Sequence, residues 1–221
     1  MNAGDFIYIN YIGRIKDSGE IFDLTKEDIA KKKGIHNPKF KYGPVPIIVD
    51  ANFILPGLNE GLKGMKVGEK KTIEIPPEKA FGERNAELMK VIPESKFKEQ
   101  GLDAKPGSVV TMNRINGRIV SVDGGRVKVD FNHPLAGKTL EYELEIKEKI
   151  KNKDEKIKAV VYYFTGLEKD GVATTIKEKE VEIDINKKVD ILREVKRKIS
   201  STIIEWVKDV ERVKFVEVFE K

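Results

Sequence analysis

The stretch Ile54-Leu55-Pro56-Gly57-Leu58-Asn59-Glu60-Gly61-Leu62-Lys63-Gly64 decides the fold of the first part of this 221-residue chain. Leu58 and Leu62 are four residues apart, which places both side chains on one face of a helix. Gly64 follows them and supplies a glycine stop. The stretch therefore predicts one short helix.

Segments on both sides of this helix alternate with the period of two that is typical of strands. Residues 5–15 form the longest such segment, and shorter ones cover residues 20–23, 47–49 and 70–75. The two predicted faces of the first strand consist of Phe6, Tyr8 and Asn10, and of Ile7, Ile9 and Tyr11. Residues 25–41 are polar and lysine-rich, so we expect them to form a surface excursion.

Residues 86–131 have a different pattern, which predicts a small antiparallel sheet. A short helix is expected after Pro93, and residues 109–112 form a strand pattern. Asn116-Gly117 and Asp123-Gly124-Gly125 are two hairpin signals between apolar stretches. Residues 140–146 then alternate as one more strand.

A charged run over residues 147–158 indicates a domain boundary. Residues 159–164, 180–185 and 213–219 are predicted to be strands, with a turn at 166–171. A helix over 187–210, capped by Asn186, is expected to cover this sheet of three or four strands. Its apolar stripe consists of Val189, Leu192, Val195, Ile199, Ile203, Trp206, Val207 and Val210.

Composition excludes several kinds of chemistry. The absence of cysteine rules out disulfides, zinc–cysteine sites and a thiol nucleophile, and two histidines are too few for a histidine-rich metal site. The 42 basic and 37 acidic residues give a net charge of +5, so the surface is densely mixed rather than polycationic. We find no phosphate-binding loop, no nucleophile elbow, no signal-peptide pattern and no apolar run of about 18 residues. A cytosolic protein from a heat-adapted source is expected.

Three ordered motifs resemble the FKBP-type peptidyl-prolyl cis–trans isomerases. They are residues 9–13 (Ile-Asn-Tyr-Ile-Gly) with Phe22-Asp23, residues 55–70, and residues 75–82 (Ile-Pro-Pro-Glu-Lys-Ala-Phe-Gly). A fourth stretch, residues 132–144, is similar to the SlyD-type branch, in which a chaperone domain interrupts the flap. The resemblance covers residues 3–148, and residues 157–221 resemble the extra C-terminal domain of long archaeal members.

The resemblance implies an α+β protein with three domains. An FKBP-like, half-open antiparallel β-barrel with one short helix would comprise residues 1–85 and 132–150. A small β-rich chaperone domain, residues 86–131, would be inserted in the flap. Residues 151–221 would form a C-terminal α+β domain.

The resemblance also implies prolyl isomerisation of unfolded or nascent chains, with no cofactor and no metal. The family's pocket residues fall on Tyr11, Phe22, Asp23, Ile54, Leu55, Leu58, Phe81, Leu135, Ala136 and Tyr142. Leu58 replaces the pocket tryptophan of small members, and Phe81 lacks the hydroxyl of the flap tyrosine. The residues expected to grip clients on the insert are Leu88, Met89, Val91, Ile92, Phe97, Met112 and Ile115.

Other interpretations stay open from sequence alone. A holdase without catalysis is favoured by Leu58 and Phe81, and a basic nucleic-acid- or ribosome-associated module by the pI of 9.0. The last domain carries an apolar patch, which predicts a homodimer, docking on the chain's own barrel, or contact with a client or ribosomal partner. That patch is predicted to consist of Ile157, Val161, Tyr163, Phe164, Phe215, Val216, Val218 and Phe219.

Overall fold

A computed structural model describes residues 1–112, 114–185 and 189–217, which fold into a mixed α+β protein with three sheets. The strands are β1 (Phe6–Ile15), β2 (Ile21–Leu24), β3 (Val45–Ile48), β4 (Lys70–Ile75), β5 (Met89–Pro93), β6 (Val109–Met112), β7 (Ile115–Asp123), β8 (Arg126–Asp130), β9 (Leu140–Lys149), β10 (Val172–Lys177), β11 (Glu180–Ile185) and β12 (Arg212–Val216). The helices are α1 (Glu27–Lys32), α2 (Pro56–Leu62), α3 (Ser95–Lys98), α4 (Lys153–Thr165) and α5 (Arg193–Trp206).

The first sheet is antiparallel and has the order β2-β1-β9-β4, with β3 also paired to β1. The predicted alternation of β1 is confirmed, because its two faces belong to different cores. Ile7 and Ile9 pack in a cluster with α2, whereas Phe6 and Tyr8 pack against the C-terminal part of the chain. This strand therefore supports two packed layers at once.

The predicted short helix is confirmed as α2, which packs on β4. Pro56 occupies the start of the helix, where its missing N–H is not needed. Gly57 and Gly61 face Ile75 and Ile73 so closely that a Cβ atom at either glycine would collide with the isoleucine. The glycines thus bring the helix close to the sheet, and Gly64, with φ of 77°, follows its end.

Residues 86–130 form a separate sheet with the order β5-β8-β7-β6 and a core of their own. The hairpin at Gly124-Gly125 is confirmed, since both glycines adopt the positive φ that a tight turn requires. The hairpin predicted at Asn116-Gly117 is wrong, because both residues lie within β7. A Cβ at position 117 would collide with Phe131 and Val129, so this glycine serves packing rather than a turn.

The strand predicted at residues 159–164 is wrong, because these residues belong to helix α4. The Asn152 side chain accepts a hydrogen bond from the backbone N–H of Asp154 and caps the helix at its start. Gly166, with φ of 68°, ends it in the left-handed conformation. These end signals, together with burial of Ile157 and Val161 on one face, override the strand preference of the Val-Val-Tyr-Tyr-Phe run.

The last sheet has three strands in the order β10-β11-β12, of which β10 was not predicted. Helices α4 and α5 pack in one apolar cluster with it, rather than one helix alone. Helix α5 begins at Arg193 and not at residue 187, so Val189 and Leu192 precede it and are exposed. The cap predicted at Asn186 and the strand residues Val218 and Phe219 lie outside the described residues.

Part of the predicted apolar patch is buried within the chain. Ile157 and Val161 are fully buried in a cluster that includes Phe6 and Ile48 of the first sheet. Side chains of β11 and β12 also form an ion-pair ladder, in which Lys214 lies 2.6 Å from Glu180. Docking on the chain's own sheet thus accounts for part of the patch. Tyr163 and Val216 are exposed, Val218 and Phe219 lie outside the described residues, and dimerisation stays a prediction.

Two further features of the described residues concern surface and membrane. The surface segment predicted at residues 25–41 contains the short helix α1, in which Ala30 is the buried residue. This segment is therefore partly helical. In the described part of the chain, no helix is both long enough and apolar enough to cross a membrane.

Candidate active site

One apolar cluster, between the first sheet and α2, gathers most of the predicted pocket residues. Leu58 and Tyr142 are buried members of it, and the other members named here pack against it half-buried. The eight predicted residues brought together in this way are Tyr11, Phe22, Ile54, Leu55, Leu58, Phe81, Leu135 and Tyr142. Of the other two, Ala136 is buried and Asp23 is exposed beside Tyr11.

Tyr142 on β9 lies at the centre of the aromatic arrangement. The centroid of its ring is 5.9 Å from that of Tyr11 and 5.8 Å from that of Phe22, which it meets edge-on. Both distances are in the range of favourable aromatic pairs. Only 4% of Tyr142 is exposed, so it lies at the buried centre of the cluster.

Gly13 on β1 makes room for these rings. It is the cross-strand partner of Tyr142 on one side and of Asp23 on the other. A Cβ at this position would lie 2.9 Å from the Phe22 ring and 3.0 Å from the Tyr142 ring. In the sequence, Gly13 is recognisable only as part of a motif. Its role in making room for the two rings follows from the register of three neighbouring strands.

Asp23 places a carboxylate beside this aromatic cluster. The Tyr11 hydroxyl donates a 2.8 Å hydrogen bond to its Oδ2 atom. Burial, and then the charge of Asp23, raises the pKa of Tyr11 above its ordinary value of 10.0, and the phenols of Tyr142 and Tyr163 add smaller contributions. Burial and Asp23 likewise raise the pKa of Tyr142. Both phenols are therefore neutral hydrogen-bond donors at physiological pH.

Phe81 packs against His133, a residue outside the predicted pocket set. The His133 ring stacks on the Phe81 ring, with centroids 4.2 Å apart and an angle of 6° between the planes. His133 Nδ1 also accepts a hydrogen bond from the backbone N–H of Leu135. No sequence signal predicts the stacking, since 52 positions separate the two rings.

The predicted client-gripping residues divide into two groups in the second sheet. Leu88, Val91 and Ile115 are exposed, with Val91 at 62%. Phe97 is 2% exposed and belongs to the core of this sheet, against which Ile92 and Met112 pack. Met89 is half-buried. Phe97 is therefore a core residue here and does not belong to the exposed surface.

Polar contacts join the chain segment that enters the second sheet to the segment that leaves it. The Asn132 side chain accepts from the backbone N–H of Asn85 at 2.8 Å and donates to its carbonyl at 3.0 Å. Arg84 pairs with Asp130, and Asn132 also donates to Asp130. The outgoing and returning chain segments are thus tied to each other where they leave the first sheet.

An antiparallel sheet over a short helix, with a buried aromatic cluster and a carboxylate held by a tyrosine, is consistent with an FKBP-like fold. Two family models match the chain: "FKBP26, IF domain" over residues 90–135 and "FKBP26_C-terminal" over residues 153–220.

Named relatives agree with this class. The short-type peptidyl-prolyl cis-trans isomerase of Methanocaldococcus jannaschii is 34% identical over 148 residues, which cover 67% of this chain and 93% of that protein. The probable FKBP-type 16 kDa isomerase of Pseudomonas fluorescens is 39% identical over 48% of this chain and 73% of its own length. The isomerase SlyD of Aeromonas hydrophila is 31% identical over 60% of this chain and 57% of its own length. The chain belongs to the FKBP-type peptidyl-prolyl cis-trans isomerase family.

Proposed function

We propose that this chain catalyses cis–trans isomerisation of X–Pro bonds in unfolded or nascent polypeptides, and that the pocket around Tyr142 is the catalytic site. The observation that carries the proposal is the placement of Tyr142 between Tyr11 and Phe22, with Asp23 held at the opening by Tyr11. The names of the relatives favour the isomerase over the holdase and the nucleic-acid module.

The chemistry of the reaction suits an apolar pocket. Rotation about an X–Pro bond has a barrier of about 20 kcal/mol because amide resonance is lost. No bond is broken, so the reaction needs no nucleophile, metal or cofactor. The twisted amide has less charge separation than the planar one, and apolar walls favour it relative to water. Each 1.36 kcal/mol or so of such preference is a tenfold gain in rate.

Each pocket residue has a role in this proposal. The proline ring packs against Phe22, Leu58 and Tyr142, which supply the apolar floor. Ile54 and Leu55, in the loop before α2, form one wall. Phe81, Leu135 and Ala136 form the opposite rim. Asp23 and Tyr11 orient the peptide at the opening.

The domain organisation proposed with this function is that of the SlyD-like branch. Residues 1–85 and 132–150 form the half-open barrel, residues 86–131 the insert in the flap, and residues 151–221 the C-terminal domain. The separate core of the second sheet and the match of residues 90–135 to the IF-domain model support the insert. The match of residues 153–220 supports assignment to the long archaeal form.

The insert is proposed to bind clients through its exposed apolar residues Leu88, Val91 and Ile115. Client binding there raises the local concentration of X–Pro segments at the pocket, which increases the effective rate on proteins. Isomerisation of short peptides is not accelerated in this way, because a short peptide does not bind the insert and the pocket at the same time. A cytosolic location remains a prediction.

Two substrates test the proposal in one experiment. Isomerisation of a proline tetrapeptide and of a protein with proline-limited refolding is measured for the full chain and for a variant in which a short bridge replaces residues 86–131. The deletion is expected to spare the tetrapeptide and to abolish most catalysis of refolding. Equal loss in both assays, or loss in neither, contradicts the division of labour.

A further inference from the structure

The loop between β3 and α2 carries two of the proposed pocket residues, Ile54 and Leu55. Its backbone turns at Asp50 and Asn52, whose φ angles of 63° and 57° lie in the left-handed region that residues with a side chain seldom adopt. Asp and Asn adopt this region more readily than other residues with a side chain, and the rest of the loop is positioned by its contacts with neighbouring elements. The contacts of the loop therefore determine where Ile54 and Leu55 lie in the pocket.

One set of contacts comes from helix α4, in the C-terminal part of the chain. The Tyr163 hydroxyl donates a 2.8 Å hydrogen bond to the backbone carbonyl of Phe53. The Tyr163 ring stacks on the Phe53 ring with centroids 4.5 Å apart, and Phe164 meets the same ring edge-on at 5.7 Å. Helix α4 thus holds residue 53 through both its carbonyl and its side chain, directly before Ile54.

Consecutive residues of this loop belong to different cores. Phe53 packs in the cluster that contains α4 and α5, whereas Ile54 and Leu55 pack in the cluster of the pocket. Because one rigid peptide unit joins Phe53 to Ile54, a displacement of the first moves the second. The cavity beside Phe53 and Tyr163 measures about 10 Å³. That is close to the minimum for a single water molecule, so little free space is left between the two rings and their neighbours.

Tyr163 lies at the exposed edge of the junction between α4 and the first sheet. Its side chain is 40% exposed, and it lines this junction together with Ala159 and Val160 of the same helix. Tyr163 is therefore the α4 residue of this junction that holds the loop directly before Ile54.

We propose that Tyr163 is a positioning residue for prolyl isomerisation. Through Phe53 it fixes Ile54 and Leu55 in the pocket, so the C-terminal part of the chain sets the activity of the first sheet's site. This inference rests on the proposed function, because it requires Ile54 and Leu55 to contact the substrate.

Full-length variants test the inference with a proline tetrapeptide as substrate. Tyr163→Phe removes the hydroxyl but keeps the ring, and Tyr163→Ala removes both. We expect kcat/KM to fall about fivefold in the first and about tenfold or more in the second. Tyr162→Phe is the matched control, because Tyr162 is the neighbouring residue on α4 and its ring lies under Lys41. We expect kcat/KM of Tyr162→Phe to stay within about twofold of the wild-type value.

A second readout separates positioning from general destabilisation. Amide hydrogen exchange of residues 50–56 should accelerate in Tyr163→Phe, while β7 and β8 exchange as in the wild type. The inference is overturned if Tyr163→Phe keeps wild-type activity, or if it loses activity without faster amide exchange in the loop. An equal loss of activity in Tyr162→Phe also overturns it. If Tyr163→Ala fails to fold, Tyr163→Phe alone decides. An inactive wild-type chain would instead refute the proposed function.

Discussion

The hydroxyl of Tyr11 donates a 2.8 Å hydrogen bond to Asp23 Oδ2, and this bond connects the neighbouring strands β1 and β2 beside the proposed pocket. Asp23 is exposed, so its carboxylate has no need of Tyr11 for solvation. The contact instead gives an otherwise mobile side chain a fixed direction relative to the Tyr142 floor. The consequences are measurable.

Replacement of Asp23 tests whether this carboxylate orients the substrate. We expect Asp23→Ala to lower kcat/KM for a proline tetrapeptide at least several-fold, because a hydrogen bond that involves a charged group contributes about 1.5–3 kcal/mol. Asp17→Ala, an exposed aspartate in the turn between β1 and β2, is the control and should retain full activity. Equal rates for the two variants would remove Asp23 from the site.

Gly13 tests whether the packing of the two rings matters for catalysis. In Gly13→Ala the new methyl group meets Phe22 and Tyr142, which must move by a few tenths of an ångström or more. We expect activity on the tetrapeptide to fall at least tenfold, with a loss of stability of about 1–3 kcal/mol.

Gly117→Ala is the matched control, since its methyl group meets Phe131 and Val129 in the second sheet. It should destabilise that sheet and leave tetrapeptide turnover unchanged. The idea that Gly13 serves the pocket fails if Gly13→Ala keeps its activity, or if Gly117→Ala loses as much.

The raised pKa values of Tyr11 and Tyr142 predict that the fold loses stability at alkaline pH. Both phenols are held neutral in the folded state, so their contribution is complete below the unfolded pKa of about 10 and is lost as the pH rises above it. Each phenol that stays protonated only in the folded state lowers the free energy of unfolding by about 1.4 kcal/mol for every pH unit in that range.

Denaturant unfolding between pH 9 and 12 checks this expectation. The double variant Tyr11→Phe/Tyr142→Phe should lose stability less steeply above about pH 10 than the wild type does. Identical slopes for the two proteins would show that these phenols ionise as freely in the folded as in the unfolded state.

The proposed client surface can be tested without a deletion. Replacing Leu88, Val91 and Ile115 by serine removes exposed apolar area but no core residue. We expect catalysis of proline-limited refolding to fall about tenfold or more, while the tetrapeptide rate stays unchanged. Ile204→Ser, at a residue of α5 that is 45% exposed, is the control for loss of surface apolarity in general. A refolding rate that is unaffected by the triple change would place client binding elsewhere.

Much of the first sheet could be predicted from sequence, because its signals are local. The alternation of β1 and the Leu58–Leu62 spacing of α2 depend on residues within one element, and both predictions hold. The motif that ends in Phe22-Asp23 also identified the residues that lie around Tyr142. The stacking of His133 on Phe81 joins distant segments, and no local pattern indicates it.

The errors arose where local preference and tertiary context disagree. The apolar run of residues 159–164 favours a strand by composition, yet the caps at Asn152 and Gly166 and the buried face of α4 make it a helix. Asn116-Gly117 has the composition of a turn, yet its glycine is required by the ring of Phe131. In both places the deciding contact comes from a residue that the local window does not contain.

The most direct test of the central claim is the rate of cis–trans exchange of a proline tetrapeptide, measured by NMR exchange spectroscopy with the full chain and with Tyr142→Leu. Leucine keeps the core filled but removes the aromatic floor, and near-UV circular dichroism checks that the variant is folded. We predict that the wild type accelerates exchange and that folded Tyr142→Leu does so at least several-fold less. A wild type that leaves the exchange rate unchanged, or a folded Tyr142→Leu with full activity, would contradict the assignment of this pocket as the catalytic site.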